Sequence, residues 1–187
     1  MEKSYGNCLA IGVDDSNHAG QNSLGEINTA LFSWLHQDSI VKDFSNTRDK
    51  RAAIHFMDHP QRDYRFGLLT SERYRRSSKN LIETVPYLVS DYLSQLEEPP
   101  EKLQIFLDGA LQKYGRSWIR EQIKKEFGIK NIVVDNFTKK HRSPTGDIMK
   151  FPRCPEILYF ADIWANLLYN SAKTDDISKH EKLVFIK

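Results

Sequence analysis

The chain has 187 residues, of which 40% are hydrophobic and 28% charged, with a formal net charge of +2. That length buries a sizeable core and predicts one domain spanning residues 1–187, and the composition is that of an ordinary globular protein. The charge neither announces a nucleic-acid partner nor repels one, and no apolar run is long enough to span a bilayer.

Residues 8–13 form a short apolar run with Leu9, Ile11 and Val13 at period two, the pattern of a strand. The run stops on Asp14 and Asp15, adjacent carboxylates that repel each other unless water or a cation screens them. Residues 26–35 (EINTALFSWL) are rich in Ile, Thr, Phe and Trp and read as a second strand. Residues 36–60 read mostly as loop with a short strand around 53–57, and residues 64–70 (YRFGLLT) read as a further strand.

Ser78 is the expected N-cap of a helix in which Leu81, Ile82, Val85, Leu88, Val89, Tyr92, Leu93 and Leu96 recur at helical spacing. Pro86 interrupts that pattern because it has no N–H to donate, and Pro99-Pro100 end it. Residues 103–110 (LQIFLDGA) repeat the plan of the first strand: an apolar run that ends on an acid, Asp108, before small residues. Residues 114–127 form an amphipathic helix with Gly128 at the C′ position. A strand over 131–137 (NIVVDNF) also ends on an acid, Asp135. A basic loop (TKKHRSPTGD) leads to a strongly apolar helix over 155–171, and the tail EKLVFIK adds an edge strand. Early strands with short connections pair antiparallel, and later strands joined through helices run parallel, which predicts an α/β mixed sheet flanked by helices.

Cys8 and Cys154 lack the spacing of a zinc site, so two free thiols are expected. The N-terminal MEKSYGN lacks the apolar core of a secretion signal, and a cytoplasmic protein is expected.

In an open α/β sheet, ligands sit beyond the carboxyl ends of the parallel strands, where Asp14, Asp108 and Asp135 are expected. Strands pair at about 4.8 Å, so acids at the tips of neighbouring strands reach one cation, and oxygen ligands suit Mg²⁺ or Mn²⁺. Any one of these acids taken alone reads equally as a strand terminator or an N-cap. Asp162 is more informative. It lies in a helix that is apolar almost all round, where an ionised carboxylate is costly unless paired, hydrogen-bonded or bound to a metal. It is either the partner of a buried Arg or Lys or a functional carboxylate, and Asn166 lies one turn later on the same face.

The element order, together with "GVDDSN", "IFLDGA" and "YFADIWAN", resembles the ribonuclease H-like superfamily. Within it the look is nearest a branch with Asp-Glu-Ser-Gly after the first strand and Ala-Asp-(aliphatic)-(any)-Ala in the final helix. The resemblance implies a mixed five-stranded sheet and a divalent-metal-dependent nuclease, or related phosphodiester hydrolase, acting on RNA, DNA or a hybrid. It implies that Asp14 is shared by two Mg²⁺ or Mn²⁺ ions, with Asp108 and Asp162 as the other catalytic acids. Asp15 takes the place of the branch's Glu, but as the next residue along a strand it should point to the opposite face. Glu83 is the nearest candidate for the Glu that ribonuclease H carries in its first helix, and its spacing departs from that pattern. Asn17-His18-Ala19-Gly20 stand where the branch has Gly directly after Ser.

Arg73, Arg75 and Arg76, interleaved with Tyr74, and the run Lys139, Lys140, His141 and Arg142 are candidate phosphate contacts, or else solvated loop charge. His141 lies in the segment where ribonuclease H has a mobile His before its last helix, and His18 is a second such candidate; both read equally as surface residues. A catalytically incomplete nucleic-acid-binding or protein-interaction module is the alternative. A haloacid-dehalogenase-like phosphatase wants Asp-x-Asp where this chain has adjacent acids, and no GxGxxG supports dinucleotide binding.

Overall fold

The computed structural model describes residues 7–16, 25–34, 41–43, 50–69, 79–109, 113–137 and 153–186. Five long strands carry the architecture: β1 (Cys8–Asp15), β2 (Glu26–Ser33), β4 (Arg62–Leu69), β5 (Lys102–Asp108) and β6 (Asn131–Phe137). Between them run β3 (Val41–Asp43), α1 (Lys50–Phe56), α2 (Lys79–Leu93) and α3 (Lys113–Phe127), and β7 (Arg153–Pro155), α4 (Glu156–Ala172) and β8 (Leu183–Val184) close the chain.

The main sheet has the order β6-β5-β1-β2-β4-β8, while β3 and β7 pair in a separate ribbon. Strands β1, β2 and β4 are mutually antiparallel, and β5 and β6 join β1 in parallel. This is the mixed architecture expected of a ribonuclease H-like domain. The sixth strand is the tail: Leu183 and Val184 add to the outer edge of β4 in parallel.

Side-chain alternation divides the molecule into layers. Leu9, Ile11 and Val13 of β1 join Leu103, Ile105 and Leu107 of β5 under α2 and α3, through Leu81, Val85, Leu88, Ile119 and Ile123. The opposite face carries α4, whose Ile157, Leu158 and Ala161 pack with Ala10, Leu31 and Phe106. Farther along α4, Leu168 and Tyr169 meet Ile27 and Phe66. Gly12 brings helix and sheet together, since a Cβ there would lie 2.6 Å from the Ile157 carbonyl oxygen.

The described segments depart from the sequence reading in identifiable ways. Residues 53–57, read as a strand, lie mostly in helix α1, with Ala53 and Phe56 buried three apart while Ile54 and His55 are exposed. Five residues are too few to separate a period of two from one of 3.6. Asp135 is the fifth of seven residues in β6, exposed and paired with Phe106, so Phe137 takes the strand-end position beside Asp108. Pro86 sits inside α2 without ending it, its missing N–H tolerated in a helix buried along one side. Ser78 lies outside the described residues. Gly128 closes α3 with φ +69 and donates its N–H to the Lys124 carbonyl at 2.9 Å, as a C′ glycine does. Both cysteines are free thiols. Among the described residues, no helix is long and apolar enough to cross a membrane.

Strand β4 is tied to α2 by Arg65, which is 2% exposed. Its guanidinium donates to Asp91 and Asp63 at 2.7 Å each and to Gln95 at 2.6 Å. Lys182, next to β8, reaches the same Asp63 carboxylate at 3.0 Å. Burial pushes the Asp63 pKa up, but hydrogen bonds from Arg65, Lys182 and the Tyr64 N–H outweigh it and hold the carboxyl below the usual aspartate value. A carboxyl more acidic folded than unfolded stabilises fully above its unfolded pKa of about 3.9, and that contribution is lost as pH falls through the lower folded value. Asp63→Asn is therefore expected to melt about 2–4 °C below the parent at neutral pH, for roughly 1 kcal/mol at a partly exposed site. Thermal melts should show the gap closing below about pH 3. A gap unchanged across that range contradicts the assignment.

Candidate metal centre at the carboxyl edge of the sheet

Asp14 and Asp108 end β1 and β5 on neighbouring parallel strands. The register pairs Gly12 with Phe106 and Val13 with Leu107, so the next step sets Asp14 beside Asp108. Both fall in the alternation of Ala10, Gly12 and Phe106, so both face α4. Strand spacing puts their backbones about 4.8 Å apart. Asp14 is 0% exposed and Asp108 8%.

Local structure fixes each acid. Ser16 donates its N–H to the Ile27 carbonyl at 2.9 Å, while its Oγ accepts the Ile27 N–H at 3.1 Å, which clips β1 to β2 just past the acids. Asp14 Oδ1 accepts the Asp15 N–H at 2.8 Å. Beyond Asp108, Gly109 turns the chain with φ +106, a conformation that side chains disfavour. Its N–H meets the Phe137 carbonyl at 2.7 Å, and its carbonyl accepts from Asn136 Nδ2 at 3.0 Å. The end of β5 is thereby held to the end of β6.

On its other side Asp14 pairs with Thr29 of β2, on the same face. Thr29 is fully buried, and its Oγ1 has no hydrogen-bond partner among the described residues. The α4 side of this edge thus gathers two carboxylates and an unsatisfied hydroxyl, all hard oxygen donors that suit Mg²⁺ or Mn²⁺ better than zinc.

Asp162 lies on α4 and is half-buried. The helix starts over Gly12 at Ile157 and Leu158 and runs toward Ile27, so Asp162, one turn past Leu158, advances in the same direction as Asp14 does from Gly12. Asn166 Nδ2 donates to the Asp162 backbone carbonyl at 2.8 Å and stands 3.5 Å from its Oδ1. Among the described residues, no three His, Cys, Asp or Glu side chains stand close enough together to hold a metal ion. The structure therefore brings Asp14 and Asp108 together and sets Asp162 on the helix over the same face without closing a three-acid group.

Asp15 points away from this group, toward α2, as alternation requires, and pairs with Asn28. Glu83 is exposed on α2, the helix that covers that opposite face. The structure does not bring Glu83 to the Asp14 side. Sequence reasoning passed over Glu26, which is 4% exposed and accepts from Asn28 Nδ2 at 3.3 Å. Its signal was an acid at period two with Asn28 in an otherwise apolar strand. Arg73, Tyr74, Arg75 and Arg76, together with Lys139, Lys140, His141 and Arg142, lie outside the described residues, as does His18.

No family model matches this sequence, and no curated protein matches it. The structure is similar to that of ribonuclease H2 from Pyrococcus horikoshii OT3, with a TM-score of 0.49 and 15% identity, covering 91% of this chain and 79% of that one. It is also similar to ribonuclease HII of Archaeoglobus fulgidus, solved in complex with PCNA, with a TM-score of 0.49 and 12% identity, covering 91% of this chain and 80% of that one.

Proposed function

We propose that this chain is a ribonuclease H-like, divalent-metal-dependent nuclease or related phosphodiester hydrolase that acts on nucleic acid as one domain. The observation that carries the reading is the placement of Asp14 and Asp108: adjacent parallel strands, matched register, one face, both buried at the carboxyl edge. Two neighbouring carboxylates in a buried setting repel, and a cation between them removes that penalty. The oxygen-only donor set and the unsatisfied Thr29 hydroxyl support a hard divalent ion. The sequence resemblance supports the assignment of Asp162 as a further acid of the same site and of Asp15 as an acid beside it.

Bound there, Mg²⁺ or Mn²⁺ ions, two in this reading, supply a nucleophilic water near neutral pH and stabilise the leaving oxygen. The protein's own contribution is positioning. The Asp15 N–H orients the Asp14 carboxylate, the Ser16 clip fixes the β1–β2 edge, and the Gly109 and Asn136 contacts hold Asp108 in place. Arg73, Arg75, Arg76, Lys139, Lys140 and His141 would hold the phosphates of the strand, with Tyr74 offering a stacking face.

One observation favours the second reading, a nucleic-acid-binding or protein-interaction module with an incomplete site: Glu83 rides on α2, across the sheet from Asp14. Incubation with single-stranded and duplex RNA, DNA and hybrids in Mg²⁺ or Mn²⁺ separates the two. Cation-dependent cleavage by the parent, absent in Asp14→Asn, is expected. Retention of nucleic acid with no cleavage above the Asp14→Asn background would leave the binding module instead.

A further inference from the structure

Helix α1 and the start of α4 enclose a cavity of about 470 Å³ that the carboxylate edge does not use. Its floor is aromatic: Phe56 and Phe160 are both buried, with ring centroids 4.7 Å apart. Arg62, the first residue of β4, lays its guanidinium over the Phe56 ring, with Cζ 3.7 Å from the centroid. Its Nη1 also donates to the Phe56 carbonyl at 2.7 Å. One face of a planar cation is thus fixed against an aromatic ring, and Arg62 also lines the cavity. A guanidinium held this way is a ready platform for a second flat ring, a nucleobase above all.

The rim supplies polar partners. His59 Nδ1 accepts the Gln61 N–H at 3.2 Å, which places the proton of the neutral ring on Nε2 and leaves that nitrogen as a donor. His55 is exposed and joined through Nδ1 to Asp58 at 2.9 Å. Glu156 lines the same cavity, and a carboxylate accepts from the N–H groups that base edges carry. A stacking cation, imidazole donors and one acceptor fit a ring that bears both N–H groups and an attached anion, and the volume suits one such molecule.

We propose that this cavity binds a nucleoside monophosphate, its base stacked on Arg62 and its phosphate taken by the histidine rim. The site is separate from the carboxylate edge. Arg62 pairs with Ser33, four residues along β2 from the Thr29 that faces Asp14, or about 13 Å.

The test is calorimetric titration of the full chain with AMP, GMP, CMP and UMP, alongside inorganic phosphate and ribose 5-phosphate as probes without a base. At least one nucleotide is expected to bind about tenfold or more tightly than either base-free probe. Arg62→Lys keeps the charge but loses the planar stack, and His59→Ala removes an exposed donor; each is expected to weaken nucleotide binding about tenfold, while Asp14→Asn leaves it unchanged. His59 lies on the surface, so its variant keeps the test open even where Arg62→Lys disturbs folding. No binding by any nucleotide, equal binding of the base-free probes, indifference to His59→Ala in a folded protein, or loss of binding in Asp14→Asn would each overturn the proposal.

Discussion

Asp14→Asn is expected to lose cation-dependent cleavage by on the order of a hundredfold or more, yet to melt no lower than the parent when divalent cations are absent. The two expectations come from the same geometry. The Asn carboxamide has the size of the Asp carboxylate, and its Oδ1 can accept the Asp15 N–H that Asp14 Oδ1 accepts at 2.8 Å. What it lacks is the negative charge beside Asp108, and in the cation-free protein that charge is a repulsion in a buried setting. A site built to hold a cation costs stability when empty, so removing half of its charge should leave the melting temperature level or raise it. With Mn²⁺ added, the parent should rise and the variant should not, because only the parent gains a ligand that binds the folded state. Thermal melts with and without Mn²⁺, run beside the cleavage assay, check both halves. A variant that unfolds several degrees early without metal would show that Asp14 serves chiefly to hold the fold.

The second large effect lies at Gly12. Replacing glycine inside a strand normally stabilises it, by roughly 0.5–1 kcal/mol, because glycine loses more conformational freedom on folding. Here the sign should reverse. The first side-chain carbon would sit 2.6 Å from the Ile157 carbonyl oxygen, 2.7 Å from its carbon and 2.9 Å from the Leu158 nitrogen. All three are backbone atoms, which cannot swing aside as the end of a side chain can. Gly12→Ala must push α4 away from the sheet, for about 1–3 kcal/mol of overpacking, and Gly12→Val, with two more methyl groups, should exceed that. In a chain of this size that corresponds to a melting temperature lower by about 2–12 °C for Ala. The helix carries Asp162, so activity should fall further than the lost stability explains, measured well below the melting transition. A Gly12→Ala protein as stable and as active as the parent would mean that α4 does not rest on this residue.

The legibility of the fold in the sequence follows its physics. Strand β1 and strand β5 each announced themselves by a period-two apolar run that stopped at an acid, and helix α4 by apolar residues on nearly every side. These segments are long enough for one periodicity to win. Helix α1 is only seven residues long and hid in a polar stretch, where Ala53 and Phe56 carry its buried side. Tertiary contacts rather than local pattern decide so short a helix.

At the site, the adjacency of Asp14 and Asp108 was readable from strand order and strand ends, because parallel neighbours bring matched termini together. Asp135 was misplaced because its strand runs two residues farther than the acid. Glu26 and Thr29 were passed over for a different reason. Burial of a polar side chain on a strand depends on what covers that face, and one sequence does not say which helix lies above it.

The central claim is that Asp14 and Asp108 hold one divalent cation between the ends of β1 and β5. Calorimetric titration of the metal-free protein with Mn²⁺, set beside Asp14→Asn and Asp108→Asn, tests it most directly. Saturable binding in the parent that either substitution removes is the predicted result; a parent that takes up no Mn²⁺, or variants that bind it as tightly, would contradict the account.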